Sequence, residues 1–270
     1  MDTPDQSGAA AEIVPGNVSG GTNTSHTIVV AALARLLDST PPDAVPADYE
    51  RAAVEANVLG KDTHGARWRT FRYLRELYLL RPDSVLFRAL RDLWPIEAPA
   101  QPLLAGLCAL ARDSVFRASA AAISRTSSGE VVRAADLAAA VEEAFPGNYG
   151  AETLAKIGRN TFSSWEQTGH LTPDGVGTKF RARAGCGPAD VAYALLLGHL
   201  EGVRGKALFE TRWTAVLDRS EPQLLEMAAT ASRLGMLELR SAAGVVEVGF
   251  RELLRPFDSG PGGEVGQLPR

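Results

Sequence analysis

Apolar residues recur at helical intervals along most of the chain, and strict alternation is confined to a few short places. Three periodic stretches come first. "TIVVAALARLLD" is closed by "STPP", "PADYERAAVEANVL" opens at Pro46, and "GARWRTFRYLRELYLLRP" stops at Pro82, so each predicts a helix. In the third, Trp68, Phe71, Leu74 and Tyr78 read as a core stripe, with Arg69, Arg72 and Arg75 on another face. "QPLLAGLCALARDSVFRASAAAI" predicts one long helix, followed by the polar break "SRTSSG" and the β-leaning "EVVR". Leu137, Val141 and Phe145 then mark a helix that Asp136 can cap. The turn "PGNYGA" leads into another helix over Glu152 to Gln167, and "HLT", "PDGVG" and "TKFRAR" read as strand, turn and strand. Helix, short strand, helix, turn, helix, strand, loop, strand is the order of a winged helix-turn-helix domain.

The last third repeats the theme with "ADVAYALLLGHLEGV", "ALFETRWTAVL", "EPQLLEMAATASRLG" and a hairpin-like pair, "MLELR" and "VVEVGF". It suggests a second winged-helix-like module that packs on the first or on a partner. The expected fold class is therefore mainly α: a helical N-terminal region followed by winged helix-turn-helix modules with short β-hairpin wings. The expected divisions are a mobile tail over 1–24, a helical domain over 25–102, a winged helix over 103–185, a second helical or winged-helix-like unit over 186–257 and a mobile tail over 258–270. Both ends are rich in Gly, Ser, Pro and Asn and poor in large apolar groups.

Net charge is −4, but it is unevenly spread. Residues 61–91 hold eight cations against three acids, and residues 151–183 hold five against three, between acidic flanks. No apolar run is long enough for a membrane span and no secretory leader is recognisable, so a cytoplasmic location is expected. Cys108 and Cys186 cannot form a disulfide framework. His26, His64, His170 and His199 are scattered without ligand spacing, and no catalytic motif stands out, so neither enzyme activity nor a metal or other cofactor is expected.

On a helical wheel, Leu154, Ile157, Thr161 and Trp165 fall on one face of the 152–167 helix, and Glu152, Lys156, Arg159, Asn160, Ser163 and Gln167 on the other. Arg, Lys and Asn match base-edge and phosphate acceptors in a major groove. Lys156, Arg159, Asn160 and Ser163 are thus the candidate reading residues for double-stranded DNA, with Lys179, Arg181 and Arg183 on the wing. Lys61, Arg67, Arg69, Arg72 and Arg75 offer a second phosphate-contacting surface. The same surfaces could instead dock a protein, or the chain could be a dimeric regulator of its own locus.

"RAAVEANVLGKDTHGARWRTFRYLRELYLL", residues 51–80, preceded by "SGGTNTSHTIVVAALARLL", resembles the N-terminal part of the BrxA family, accessory proteins of bacteriophage-exclusion defence loci. The shared points are a Gly-Gly segment before the first helix, Asn57-Val58-Leu59 closing the second, and a basic helix running to Arg81. The resemblance implies a helical, winged-helix-containing DNA-binding protein that works beside larger defence-system proteins without catalysis of its own.

Overall fold

The computed structural model describes residues 6–174, 178–242 and 245–256. It is mainly helical with two small antiparallel sheets. The described residues begin with α1 (Gln6–Ala10), and from Ala9 onward the expected N-terminal tail is corrected. Ala9 and Ile13 are buried, and the Glu12 carboxylate accepts from Ser84 Oγ at 2.8 Å, Val85 N at 3.1 Å and Leu86 N at 2.9 Å. An acid placed on free amides at a helix start anchors chain without needing apolar bulk. Arg117 adds a 2.6 Å bond to Val14 O. The expected C-terminal tail, 258–270, lies outside the described residues.

α2 (Val30–Asp38) buries Val30, Leu33, Leu36 and Leu37, the spacing its sequence predicts. α3 (Pro46–Glu50) widens into a π-helical turn over Arg51–Glu55 and closes at Asn57, whose φ of 53° is left-handed and whose Oδ1 accepts from Lys61 N at 2.9 Å. α4 (His64–Tyr78) starts at a Thr63 cap. α5 (Val85–Leu93), not anticipated from the sequence, starts at Ser84, whose Oγ accepts from Phe87 N at 3.1 Å. The single long helix expected over 101–123 is instead two, α6 (Gln101–Arg112) and α7 (Ser114–Arg125). Asp113 breaks it by adopting extended backbone and capping Phe116 N at 2.8 Å.

β1 (Val131–Val132), α8 (Ala134–Ala144), α9 (Ala151–Gln167), β2 (Leu171–Pro173) and β3 (Lys179–Arg181) follow. Their sheet runs β1-β3-β2, antiparallel throughout, with Val131 opposite Phe180 and Leu171 opposite Arg181. α10 (Pro188–Leu200) is buried from Ala189 to Leu200, with apolar residues on every side and Asp190 and His199 among them. It packs against α5, α6, α11 (Arg212–Ala215) and α12 (Glu221–Arg233), and the last two strands described, β4 (Glu238–Ala242) and β5 (Val245–Gly249), form a hairpin. One apolar cluster extends from Ala9 to Leu253 and crosses both 102 and 185, so the expected domain divisions do not correspond to separate cores. A satellite of Val115, Val141, Phe145 and Ile157 joins α7, α8 and α9. No helix among the described residues is long and apolar enough to cross a membrane.

Candidate nucleic-acid interface

α9 lies tightly on α8. A Cβ on Gly158 would sit 2.3 Å from Ala134 O, so only glycine admits this approach. The inward residues are those the wheel assigns: Ile157, Thr161 and Trp165 are buried. Trp165 donates from Nε1 to Ser119 Oγ at 2.9 Å and stacks tilted on Phe116, centroids 4.7 Å apart.

The opposite face is not open along its length. A segment over Thr22–Val30 lies across its C-terminal half. Asn160 Nδ2 donates to Asn23 O at 3.0 Å, Ser164 Oγ to Asn23 Oδ1 at 2.7 Å, Ile28 N to Ser164 Oγ at 3.2 Å and Val30 N to Gln167 Oε1 at 3.0 Å. Asn23 is fixed from behind by the buried Asp113 carboxylate, which accepts from Asn23 N at 2.7 Å and Nδ2 at 3.0 Å. Asn160 is therefore removed from the candidate base-reading set, because its amide holds backbone. Ser163 is half-buried. Lys156 and Arg159, on the N-terminal half, are exposed and make no ion pair or side-chain hydrogen bond among the described residues.

Two of the three cations expected on a wing are also corrected. Lys179 Nζ sits 2.8 Å from Glu166 Oε2, donates to Phe162 O at 3.1 Å and lies 3.9 Å from the Phe162 ring centroid. Arg181 is only 7% exposed and donates to Ile123 O and to Asp218. Arg183 is exposed but shares Asp218 at 3.6 Å. Alternation marks one side of a strand without saying which side faces inward, and here the basic side does. His170, next to α9, is buried between Thr168 Oγ1 at 2.7 Å and Val216 O at 2.8 Å, and burial pushes its imidazole down to about 4.

On α4, Arg67 is half-buried, donating from Nε to Lys61 O at 3.1 Å and from a terminal nitrogen to Val54 O at 3.3 Å, which removes it from the phosphate-contacting set. Arg69, Arg72 and Arg75 are exposed, with no hydrogen bond or ion pair among the described residues. Arg72 and Arg75 rest over the rings of Tyr73 at 5.4 Å and Phe71 at 5.9 Å. Trp68, expected in the core, is 37% exposed. The wheel held the signal: at 3.6 residues per turn Trp68 falls about 20° from Arg75 and about 40° from Arg72, at the edge of the stripe formed by Phe71, Leu74 and Tyr78.

The Thr22–Thr24 turn contacts α4, α7 and α9. His26, just beyond it, lies 4.5 Å from the Tyr73 ring, and its pKa is lowered by burial and by the nearby Lys61 and Arg69 cations. Gly20 and Gly21 supply the left-handed φ values of 119° and 135° that lead into this turn, and a Cβ on Gly21 would collide with the Asp113 carboxylate at 2.3 Å. Among the described residues no group of three or more His, Cys, Asp or Glu could hold a metal ion. Compared with protein-family models, curated proteins and solved structures, the chain matches none of them.

Proposed function

We propose that this chain is a non-enzymatic accessory protein that binds double-stranded DNA, with the N-terminal half of α9 in or beside the major groove. The observation that carries the reading is a contrast within one segment. Lys179, Arg181 and Arg183 all lie against carboxylates, whereas Lys156 and Arg159 extend from α9 without a partner among the described residues. Unpaired exposed cations on a helix meet the first need of duplex binding, the exchange of phosphate counterions.

The element order from α7 to β3, with strand order β1-β3-β2, supports reading this region as a winged helix-turn-helix. In that reading α9 is the recognition helix, but with its contacts restricted to the first turns, since Thr22–Val30 covers the rest. The likeness of residues 51–80 and of the preceding Gly-Gly segment to BrxA proteins supports a role beside larger proteins of a phage-exclusion locus. Gly21 has a structural reason for its identity in the Asp113 contact.

The test is duplex binding across a salt series. Replacing Lys156 and Arg159 with Ala should weaken binding to all duplexes nearly alike and flatten the slope of log affinity against log salt by about 1.8. No detectable binding by the unaltered chain at low salt, or an unchanged slope in the double variant, overturns the reading in favour of protein docking.

A further inference from the structure

We propose that the exposed stripe of α4 seats an unpaired segment of single-stranded DNA, one base stacking on Trp68 and the neighbouring phosphates meeting Arg69, Arg72 and Arg75. The inference rests on the DNA-binding reading but uses a helix on which that reading does not depend.

Trp94, Trp165 and Trp213 are all 2% exposed or less, and Trp68 is 37% exposed. An indole so placed keeps apolar ring area whose burial under a ligand would be favourable. Its ring meets Phe71 edge-on, at 5.9 Å and 69°, which supports it from the core side. A helical side chain leans toward the N-terminus, over the residues three and four positions earlier. For Trp68 one of these is Gly65, where even an added Cβ would meet nothing within 4 Å. The result is a groove of about 310 Å³ lined by Gly65, Trp68, Arg69, Arg72 and Arg75.

The chemistry of the lining selects the occupant. Three arginines without acidic partners among the described residues attract a polyanion, and the Arg72 and Arg75 guanidinium groups, held over the Tyr73 and Phe71 rings, have less freedom to lose on binding. Glu76, which could have neutralised Arg72 at four residues' spacing, forms no ion pair with it among the described residues. Charge alone would suit a duplex or an acidic peptide equally well. The indole does not: inside a duplex both faces of a base are already stacked, and an acidic peptide offers glutamate and aspartate no π-face. An aromatic platform beside a cationic track is how single strands are held without sequence readout.

Because Trp68 is the exposed indole of the four tryptophans, its fluorescence reports stacking directly. Oligo(dT) of about 15 nucleotides, near the upper end of single-strand site sizes, should quench it. Trp68→Ala should weaken oligo(dT) binding, followed by anisotropy, by about 5- to 150-fold. Gly65→Leu should weaken it comparably by filling the groove, with every charge retained and helix propensity improved. Replacing Arg69, Arg72 and Arg75 together with Ala should flatten the salt slope by about two units. The Lys156 and Arg159 double variant should bind oligo(dT) normally, and an unaltered chain that binds oligo(dT) but no duplex at low salt sinks the α9 reading alone. Equal oligo(dT) affinity for the unaltered chain and Trp68→Ala overturns the present proposal, as does equally effective competition by polyglutamate of matched length or tighter binding of oligo(rU).

Discussion

The Arg181 guanidinium on β3 lies 3.1 Å from the Asp218 carboxylate, while its Nε donates to Ile123 O at 3.1 Å. One side chain thus ties the sheet to the end of α7 and to the turn after α11, where Asp218 holds a left-handed φ of 55°. Arg181→Ala should cost about 2–3 kcal/mol, below the range for a fully buried pair because Asp218 is one-third exposed. Arg181→Lys should recover little, since an ammonium cannot fork to acceptors on separate elements. Urea unfolding measures both variants. Native stability together with weakened duplex binding would return Arg181 to the phosphate-contacting set.

Asn23 and Asp113 form the second fastening. Asp113→Ala leaves the Asn23 amide, its side-chain donor and the Phe116 amide without their acceptor, so a loss of about 2–3 kcal/mol is expected, and Asn23→Ala should cost nearly as much. Hydrogen exchange gives the finer readout: amides of 23–30 and of the second half of α9 should lose protection together. Exchange confined to 23–30 would show that α9 does not depend on its cover.

Asp190 sets a pH dependence. It caps Gly187 N at 2.9 Å, its other oxygen has no partner, and burial, opposed by that hydrogen bond and reinforced by Glu97, raises its pKa to about 8. A carboxyl raised in the folded state binds its proton more tightly there than in the unfolded chain. Its stabilising contribution is therefore complete below pH 4 and is lost as pH rises toward 8. Relative to Asp190→Asn, the unaltered chain should lose melting temperature steadily between pH 5 and 8. Parallel curves for the two would place the proton elsewhere.

Trp165→Ala should cost about 3–5 kcal/mol, combining a cavity with the loss of the Phe116 contact and of the hydrogen bond to Ser119. Its chemical denaturation midpoint should fall well below that of Trp68→Ala, which removes a ring already 37% exposed. Equal midpoints would contradict the assignment of the two faces.

The helices were legible because burial imposes a period that sequence displays, and Leu33, Leu36, Leu137 and Ile157 lie where that period puts them. The wheel for α9 separated inside from outside correctly but could not name its cover. That cover is polar and held by hydrogen bonds, with Ile28 reaching Ser164 across 136 residues of chain. Glu12 escaped notice for a similar reason: a carboxylate on three donors anchors a segment whose composition reads as mobile. Asp113 was hidden inside an apolar run that looks continuous, although Asp followed by Ser, Val and Phe is an ordinary helix start.

Arg69 and Arg159 belong to helices far apart in sequence, yet both helices touch the Thr22–Thr24 turn, which Asp113 fixes in place. The turn therefore acts as a gauge block between the two groups of free cations. If a DNA molecule reached both, it would meet a separation set by the protein, and any bend, kink or opening needed to span it would fall on the DNA. The cost of that deformation depends on the flexibility of the base steps involved, and sequence preference can then arise at positions no side chain touches.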